Sequence, residues 1–201
     1  MTTPASARRP PWGGVELLER AIGYTRGSLA LVTPELMSAP TPCDRWDLRA
    51  LLEHMDDSLT SLHEAGAVRR VWLDVAGRSD ADLVDSIRHR ACQLLAEWSA
   101  DWESLMSGAG SADVLVDGRP LTTPVLTSAG ALEVAVHGWD VAVACGAQRP
   151  LPDELATDLL RVAPVLVTPF DRPGRFASAL ANQPGDSASD RLLAFLGRRT
   201  R

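Results

Sequence analysis

The chain has 201 residues, with 20 basic and 26 acidic side chains and a net charge of −6, and all of the basic residues are arginines. Because lysine is absent, Schiff-base catalysis, attachment of pyridoxal phosphate and a Walker-type phosphate loop are excluded, since each requires a lysine amine. The acidic balance argues against a nucleic-acid partner, because such binding relies on clustered cations. With 45% apolar residues, the chain can bury one substantial core, which favours a single domain.

The three cysteines, Cys43, Cys92 and Cys145, are widely separated and form no CxxC pair. This spacing predicts neither a disulfide framework nor a cysteine zinc site, and it fits a reducing cytoplasm. Residues 1–13 are predicted to form a flexible N-terminal segment. The first fifteen residues contain arginines, prolines and glycines, and no apolar stretch of signal-peptide length follows them, so a signal peptide is not predicted. The predicted domain covers residues 14–201. No apolar run reaches the roughly 20 residues that cross a bilayer, so a soluble protein is expected.

Apolar residues three and four apart predict a first helix over residues 15–32. Residues 33–43 contain three prolines, which block helix continuation and predict a connecting loop. A second helix is predicted to begin after an N-cap at Asp47 and to stop at Gly66. Its apolar stripe consists of Leu48, Leu51, Leu52, Met55, Leu59 and Leu62.

The longest helix is predicted to start from a cap at Ser79 or Asp80 and to run to the glycine-serine loop at residues 107–111. Its buried face is predicted to hold Leu83, Ile87, Ala91, Leu94, Trp98, Trp102 and Leu105. The apolar residues 114–116 precede Asp117 and a glycine, a pair that is typical of tight turns. They predict either a short hairpin or an extended lid.

Residues 125–145 are almost all apolar or small and predict a fourth helix that is buried on most sides. Pro152 is expected at the first position of a fifth helix, which Pro164 kinks or ends. Ser187 and Asp190 have the spacing of a capping box for a short last helix. Long helices without convincing strands predict an all-α fold, an antiparallel four-helix bundle with short extra C-terminal helices.

The fourth helix contains only three ionisable side chains, Glu133, His137 and Asp140. Burying an unpaired carboxylate is costly, so a glutamate in such a helix must be neutralised, paired or bound to a cation. Glu133 and His137 are four residues apart and therefore lie on one helix face, close enough to share an ion. The same spacing also suits a hydrogen-bonded core pair, so both interpretations remain open.

A metal held by one glutamate and one histidine usually needs a third protein ligand. Of the other histidines, His54 lies at the edge of the second helix's apolar stripe, with Ser58 one turn further along the same flank. His63 falls on the opposite edge, and His89 lies between two arginines, where added metal charge is unfavourable. His54 is therefore the best candidate for the third ligand.

The neighbours of this cluster allow two interpretations each. Asp140 could accept a hydrogen bond from a ligand imidazole and help to orient it, or it could cap the helix or pair with an arginine. Trp139 could border the site or simply fill the core. Ser58 could also stand beside the ligands. For Cys43, the pattern favours a small buried hydrophobe over a residue that approaches a ligand.

Residues 40–54, PTPCDRWDLRALLEH, and residues 132–142, LEVAVHGWDVA, resemble a known pair of motifs. Together they are similar to the mycothiol-dependent maleylpyruvate isomerase metal-binding domain, which is part of the DinB-like helical superfamily. Residues 190–198, DRLLAFLGR, are similar to the ending of an actinobacterial branch of that family. The resemblance therefore extends over nearly the whole chain.

The resemblance implies a DinB-like bundle in which His54, Glu133 and His137 hold one divalent ion, usually zinc, with nickel as another option. Two imidazoles and a carboxylate leave one water-filled position on zinc, where a thiol or water can be activated. For the isomerase, the resemblance implies that a mycothiol sulfur adds to an unsaturated dicarboxylate near the metal. The present chain has only about fifty residues after Gly146 in place of a separate C-terminal lobe, and this difference concerns the substrate rather than the metal.

The sequence thus predicts a cytoplasmic, zinc-type metal-binding protein that acts as a thiol-dependent transferase or isomerase, with mycothiol as co-substrate and a small electrophile as substrate. One alternative is a non-catalytic helical module that keeps the ion for stability or ligand sensing. Another is a metal-free bundle in which Glu133 pairs with an arginine. The expected partners are small molecules, without nucleic acid or membrane. The oligomeric state is open, and a homodimer is one option.

Overall fold

Six α-helices form most of the regular structure in the computed structural model, which describes residues 14–43, 46–68, 70–71, 83–106, 113–116, 119–172 and 176–200. The helices are α1 (Gly14–Leu29), α2 (Leu48–Val68), α3 (Leu83–Met106), α4 (Thr123–Ala144), α5 (Asp153–Leu166) and α6 (Ala188–Phe195). The predicted all-α class is confirmed. The predicted segment 1–13 lies outside the described residues, and the extent of the domain stays a prediction.

The first four helices form the bundle. Helix α1 packs mainly on α4 and α2 mainly on α3, while contacts of α2 with α4 and of α1 with α3 close the arrangement. Helices α5 and α6 pack on each other, and α5 also contacts α1 and α4. Buried apolar side chains from all six helices belong to one continuous cluster. The site described below therefore lies between elements that share a single core.

The buried faces agree with the apolar pattern of the sequence. All six residues of the predicted α2 stripe are buried, as are Leu83, Ile87, Ala91 and Leu94 of α3. The side chains of Trp98, Trp102 and Leu105, predicted for the same face, lie outside the described part of the chain. Helix α4 is buried along most of its length, as its composition predicts. Among the described helices, none has both the length and the hydropathy required to span a membrane.

Two of the predicted helix starts are confirmed by their hydrogen bonds. The carboxylate of Asp47 accepts a hydrogen bond from the Ala50 amide at 2.9 Å, so Asp47 caps α2. Ser187 and Asp190 form the predicted capping box, in which the Ser187 hydroxyl accepts from the Asp190 amide at 3.1 Å. The predicted cap of α3 at residues 79–80 lies outside the described residues.

Several helix boundaries differ from the prediction, and α2 continues to Val68, past the predicted stop at Gly66. Helix α1 ends at Leu29, three residues earlier than predicted. Pro152 precedes α5 as its N-cap instead of occupying the first helical position, because its backbone is extended with ψ at 136°. Pro164 lies inside α5, which continues for only two more residues, to Leu166, before it ends.

A small sheet accompanies the bundle, consisting of β1 (Arg70–Val71), β2 (Asp113–Val116) and β3 (Arg119–Thr122). Strands β2 and β3 pair antiparallel, so of the two predicted alternatives the hairpin is observed, although residues 117–118 lie outside the described part. The parallel pairing of β1 with β2 was not predicted, because a strand of two residues carries no periodic signal.

Helices α1 and α4 approach each other closely at Gly138, the residue that follows His137. A Cβ atom on Gly138 would clash with the Thr25 hydroxyl and lie 3.0 Å from Thr25 Cβ and 3.1 Å from its Cα. The same hydroxyl donates a hydrogen bond of 2.8 Å to the carbonyl oxygen of Val134 on α4. Gly138 therefore fixes how near α1 can lie to the helix that carries the site.

We expect Gly138→Ala to destabilise the protein by about 1–3 kcal/mol, because the added methyl group forces α1 away from α4 and this overpacking exceeds the helix-propensity gain of alanine. Chemical denaturation measures the change. Gly23→Ala on α1 is the matched control, because its Cβ would meet nothing within 4 Å, and it should stabilise by up to about 1 kcal/mol. Equal effects of the two substitutions would contradict the proposed close approach.

Candidate metal centre

Three side chains from α2 and α4 converge at one point between these helices. His54 Nε2 lies 2.6 Å from Glu133 Oε1, and His137 Nε2 lies 3.1 Å from the same oxygen. One donor atom from each of the three residues lies within 4.8 Å of the other two. The structure therefore brings together the three side chains that the sequence singles out as candidate ligands.

The local sequence explains why α2 and α4 can meet here. Glu133 and His137 are separated by one helical turn, so their side chains leave α4 on the same face. One turn earlier, a Cβ atom on Gly130 would lie only 2.7 Å from Leu62 Cδ1 of α2. The missing side chain at Gly130 thus lets α2 lie close enough for His54 to reach across to Glu133.

The loop before α2 positions a tryptophan against the cluster. The amides of Leu48 and Arg49 donate hydrogen bonds to the carbonyls of Ala39 and Met37, both at 2.9 Å, which fold the loop back on the start of α2. Trp46 then packs against His54 with ring centroids 4.5 Å apart and an interplanar angle of 37°. The same indole lies 6.0 Å from the His137 ring, so Trp46 borders both candidate imidazole ligands.

The cluster is open to solvent on one side only. The side chains of His54 and Glu133 are 34% and 32% exposed, whereas that of His137 is 7% exposed. Within the described part of the chain, no fourth ligand side chain joins this group. Small molecules can therefore reach the cluster from the side of His54 and Glu133.

The donors fit a zinc-type ion. Two imidazole nitrogens and one carboxylate oxygen are ligands that zinc accepts, and three protein ligands are typical of sites that keep an open position. With both imidazole nitrogens within 3.1 Å of Glu133 Oε1, the three residues are close enough to share one ion.

Electrostatics make the three groups interdependent. Burial opposes the charge on Glu133, but His137 and His54 outweigh it and hold the pKa of Glu133 well below its usual range. Burial likewise opposes protonation of His137, but the charge of Glu133 and the hydrogen bond to Asp140 outweigh it, so the pKa of His137 is raised well above its ordinary value. Glu133 and His137 therefore each favour the charged form of the other.

Asp140 supports His137 from the opposite side. His137 Nδ1 lies 2.9 Å from Asp140 Oδ2, so Nε2 is left to face Glu133. Asp140 is fully buried and also pairs with Arg198, whose Nη2 and Nε lie 2.9 Å and 3.3 Å from its two oxygens. Burial would raise the pKa of Asp140, but His137 and Arg198 lower it. Both alternatives for Asp140, accepting from an imidazole and pairing with an arginine, are therefore observed together.

Cys43 adjoins this buried pair. Its sulfur lies 3.5 Å from Asp140 Oδ2 and 3.4 Å from Arg198 Nη2, and Cys43, His137 and Asp140 also have the spacing of a metal group. The guanidinium already occupies the Asp140 carboxylate, so a second cation would be repelled there. Cys43 is half-buried among polar groups, which differs from the buried apolar environment that its sequence context favours.

The remaining candidates lie apart from the cluster. Trp139 is 6% exposed and belongs to the apolar core, so the core-filling alternative is observed. Ser58 is half-buried on α2, and none of the hydrogen bonds among the described residues joins it to the cluster. His63 and His89 are not among the described groups that could hold a metal. Arg198 was missed by sequence reasoning, although a buried Asp140 signals that some cation must lie nearby.

The fold and the site define this protein as a helical bundle with a His–Glu–His candidate metal centre between two of its helices. The family model described as mycothiol maleylpyruvate isomerase N-terminal domain matches residues 18–142, and the chain belongs to that family. It is also 30% identical over 190 residues to the uncharacterized proteins MT0763 and Rv0738 of two Mycobacterium tuberculosis strains, covering 91% of this chain and 96% of theirs. No solved structure matches it significantly.

The raised pKa of His137 gives the ion-free protein a distinctive pH dependence. A proton held more tightly in the folded than in the unfolded state stabilises fully below the unfolded pKa and less as pH rises toward the folded pKa. In the presence of EDTA, we expect the free energy of unfolding to fall from pH 6.5 to 8.5, by at most about 1.4 kcal/mol per pH unit. Urea denaturation at both pH values measures this change. His137→Gln should flatten it, and an equally steep decline in that variant would assign the effect to another group.

Proposed function

We propose that this chain binds one zinc-type divalent ion at His54, Glu133 and His137 and uses it as a thiol-dependent transferase or isomerase. The observation that carries the proposal is the convergence of these three donors around one point, with His54 and Glu133 open to solvent and His137 buried. The family match supports it, because the family is named for a mycothiol isomerase. Mycothiol is accordingly the first thiol to test.

When bound, the ion would lower the pKa of a coordinated thiol, so that thiolate is present at neutral pH. The chain's own residues supply the surroundings for that chemistry. Glu133 and the two imidazoles bind from one side, while Asp140 accepts the Nδ1 proton of His137 and so keeps Nε2 available. Trp46 packs on His54 and restricts its ring. The exposed side of His54 and Glu133 is the entrance for thiol and electrophile.

The substrate is proposed as a small electrophile and is not assigned further. After α4, the chain continues as α5, which packs on α1 and α4, and α6, which packs on α5. The three cysteines are free, in keeping with the reducing cytoplasm in which low-molecular-weight thiols act. A specific reaction with maleylpyruvate is therefore one test among several.

The ligand set is tested by metal content. We expect the reconstituted protein to hold about one zinc ion per chain and His54→Ala to hold almost none after dialysis, because two remaining protein ligands bind zinc weakly. Mass spectrometry of bound metal gives the stoichiometry. His89→Ala is the control, since His89 is exposed on α3 and should retain full metal content. Unchanged metal in His54→Ala would refute the ligand set.

Activity is tested with the metal-loaded protein, mycothiol, glutathione or bacillithiol, and either maleylpyruvate or the electrophile monochlorobimane. We expect acceleration of conjugation or isomerisation with mycothiol, and loss of that acceleration in His54→Ala and after chelation, because thiolate formation depends on the ion. Product formation is followed by chromatography. If the ion binds but no thiol reacts faster than in buffer, the non-catalytic metal-binding module is favoured instead.

A further inference from the structure

A residue from the C-terminal part of the chain contacts Asp140, the carboxylate that holds the His137 imidazole of the candidate metal centre. Arg198 follows α6 and lies beyond residues 18–142, which the family model matches. Its side chain is buried at 9% exposure and contacts Asp140, a residue 58 positions earlier in the sequence. The family-matched segment therefore does not contain all of the groups that surround the site.

The backbone after α6 aims Arg198 into the bundle. Gly197 has φ at +79°, the left-handed conformation that favours glycine. The amides of Gly197 and Arg198 donate to the carbonyls of Ala194 and Leu193, at 3.0 Å and 2.8 Å, in the pattern of a Schellman motif. This turn ends α6 and directs the chain inward, so the position of Arg198 is set by the helix end itself.

The guanidinium then fixes the Asp140 carboxylate in two ways. Its Nη2 contacts Oδ2 and its Nε contacts Oδ1, while Nη1 donates to the carbonyl of Leu196 at 3.0 Å. A two-point contact from the planar fork prevents rotation of the carboxylate. Because Oδ2 also receives the Nδ1 hydrogen bond of His137, the orientation of that imidazole follows the orientation of Asp140.

We infer that Arg198 is a positioning residue for the metal centre, acting through Asp140 to hold the His137 imidazole with Nε2 toward Glu133 and His54. The inference rests on the proposed metal site and adds a contribution from outside the family-matched segment. Partners that orient a ligand imidazole typically contribute 10–100-fold to metal affinity. Arg198 lies one contact further out and shares that contribution with Asp140.

The test compares metal affinity, not activity, in full-length variants. Zinc affinity is measured by competition with a chromogenic chelator, and the geometry of the site by the visible absorption spectrum of the Co²⁺-loaded protein. We expect Arg198→Met to weaken zinc binding by about tenfold or more and to alter the Co²⁺ spectrum. Arg191→Met, at an exposed position of α6, is the control and should match the wild type.

A double variant separates positioning through Asp140 from a general effect of the tail. We expect Asp140→Asn with Arg198→Met to bind zinc no more weakly than Asp140→Asn alone, because both changes break the same chain of contacts. Fully additive losses would overturn the inference. So would a variant Arg198→Met that melts at a lower temperature yet binds zinc with wild-type affinity and an unchanged Co²⁺ spectrum, since Arg198 would then only anchor the tail.

Arg198→Lys keeps the positive charge that a buried Asp140 requires, but it cannot make the two-point contact of a guanidinium. This variant therefore tests the inference if Arg198→Met does not fold. We expect its zinc affinity to lie between those of the wild type and Arg198→Met, and wild-type affinity in this variant would overturn the inference. The proposed metal site fails separately, if the wild-type protein itself binds no zinc.

Discussion

Charge compensation around His137 is the interaction on which the whole site depends. This imidazole is almost fully buried in the most apolar of the described helices, between the carboxylates of Glu133 and Asp140. Each carboxylate has a second partner, since Glu133 also contacts His54 and Asp140 pairs with Arg198. A charge in such an environment is tolerated only when its partners are held in place. The candidate metal centre and its support are therefore one connected network, and α2, α4 and the segment after α6 each supply part of it.

Helix α4 carries on one face both the candidate ligands Glu133 and His137 and the carboxylate of Asp140 that orients His137. Glu133, His137 and Asp140 follow each other at intervals of four and three residues, so that the donor, the central imidazole and its acceptor succeed one another along the same side. Small residues at Gly130 and Gly138 allow α2 and α1 to lie close to this helix. The apolar remainder of α4 provides the water-poor surroundings in which few, well-placed polar groups interact strongly.

Much of the architecture could be predicted because the signals are local. Helical periodicity, the Asp47 cap and the Ser187–Asp190 capping box depend on residues within one or two turns of each other. Glu133 and His137 were identifiable in the same way, as ionisable groups in an apolar helix. Of the three remaining histidines, the apolar pattern of α2 favoured His54 as the third ligand, and the motif resemblance pointed to the same residue.

The rest of the site could not be predicted because it depends on contacts between distant segments. Nothing near Asp140 indicates that its cation is Arg198, which arrives only after α5 and α6 have packed on the bundle. The surroundings of Cys43 depend on the same packing. Its thiol lies beside Asp140 and Arg198, and the residues near Cys43 in the sequence do not predict these contacts. The pairing of β1 with β2 likewise joins short segments from either side of α3.

The packing of Trp46 on His54 gives the protein an optical property as well as a structural one. The centroid of the indole ring lies 4.5 Å from that of His54, so a paramagnetic ion such as Co²⁺ in this site would quench its emission, whereas Zn²⁺, with its filled d shell, would not. Because the chain has six tryptophans, loading with such an ion would lower only part of the total tryptophan emission, and that part would come from the indoles nearest the candidate centre.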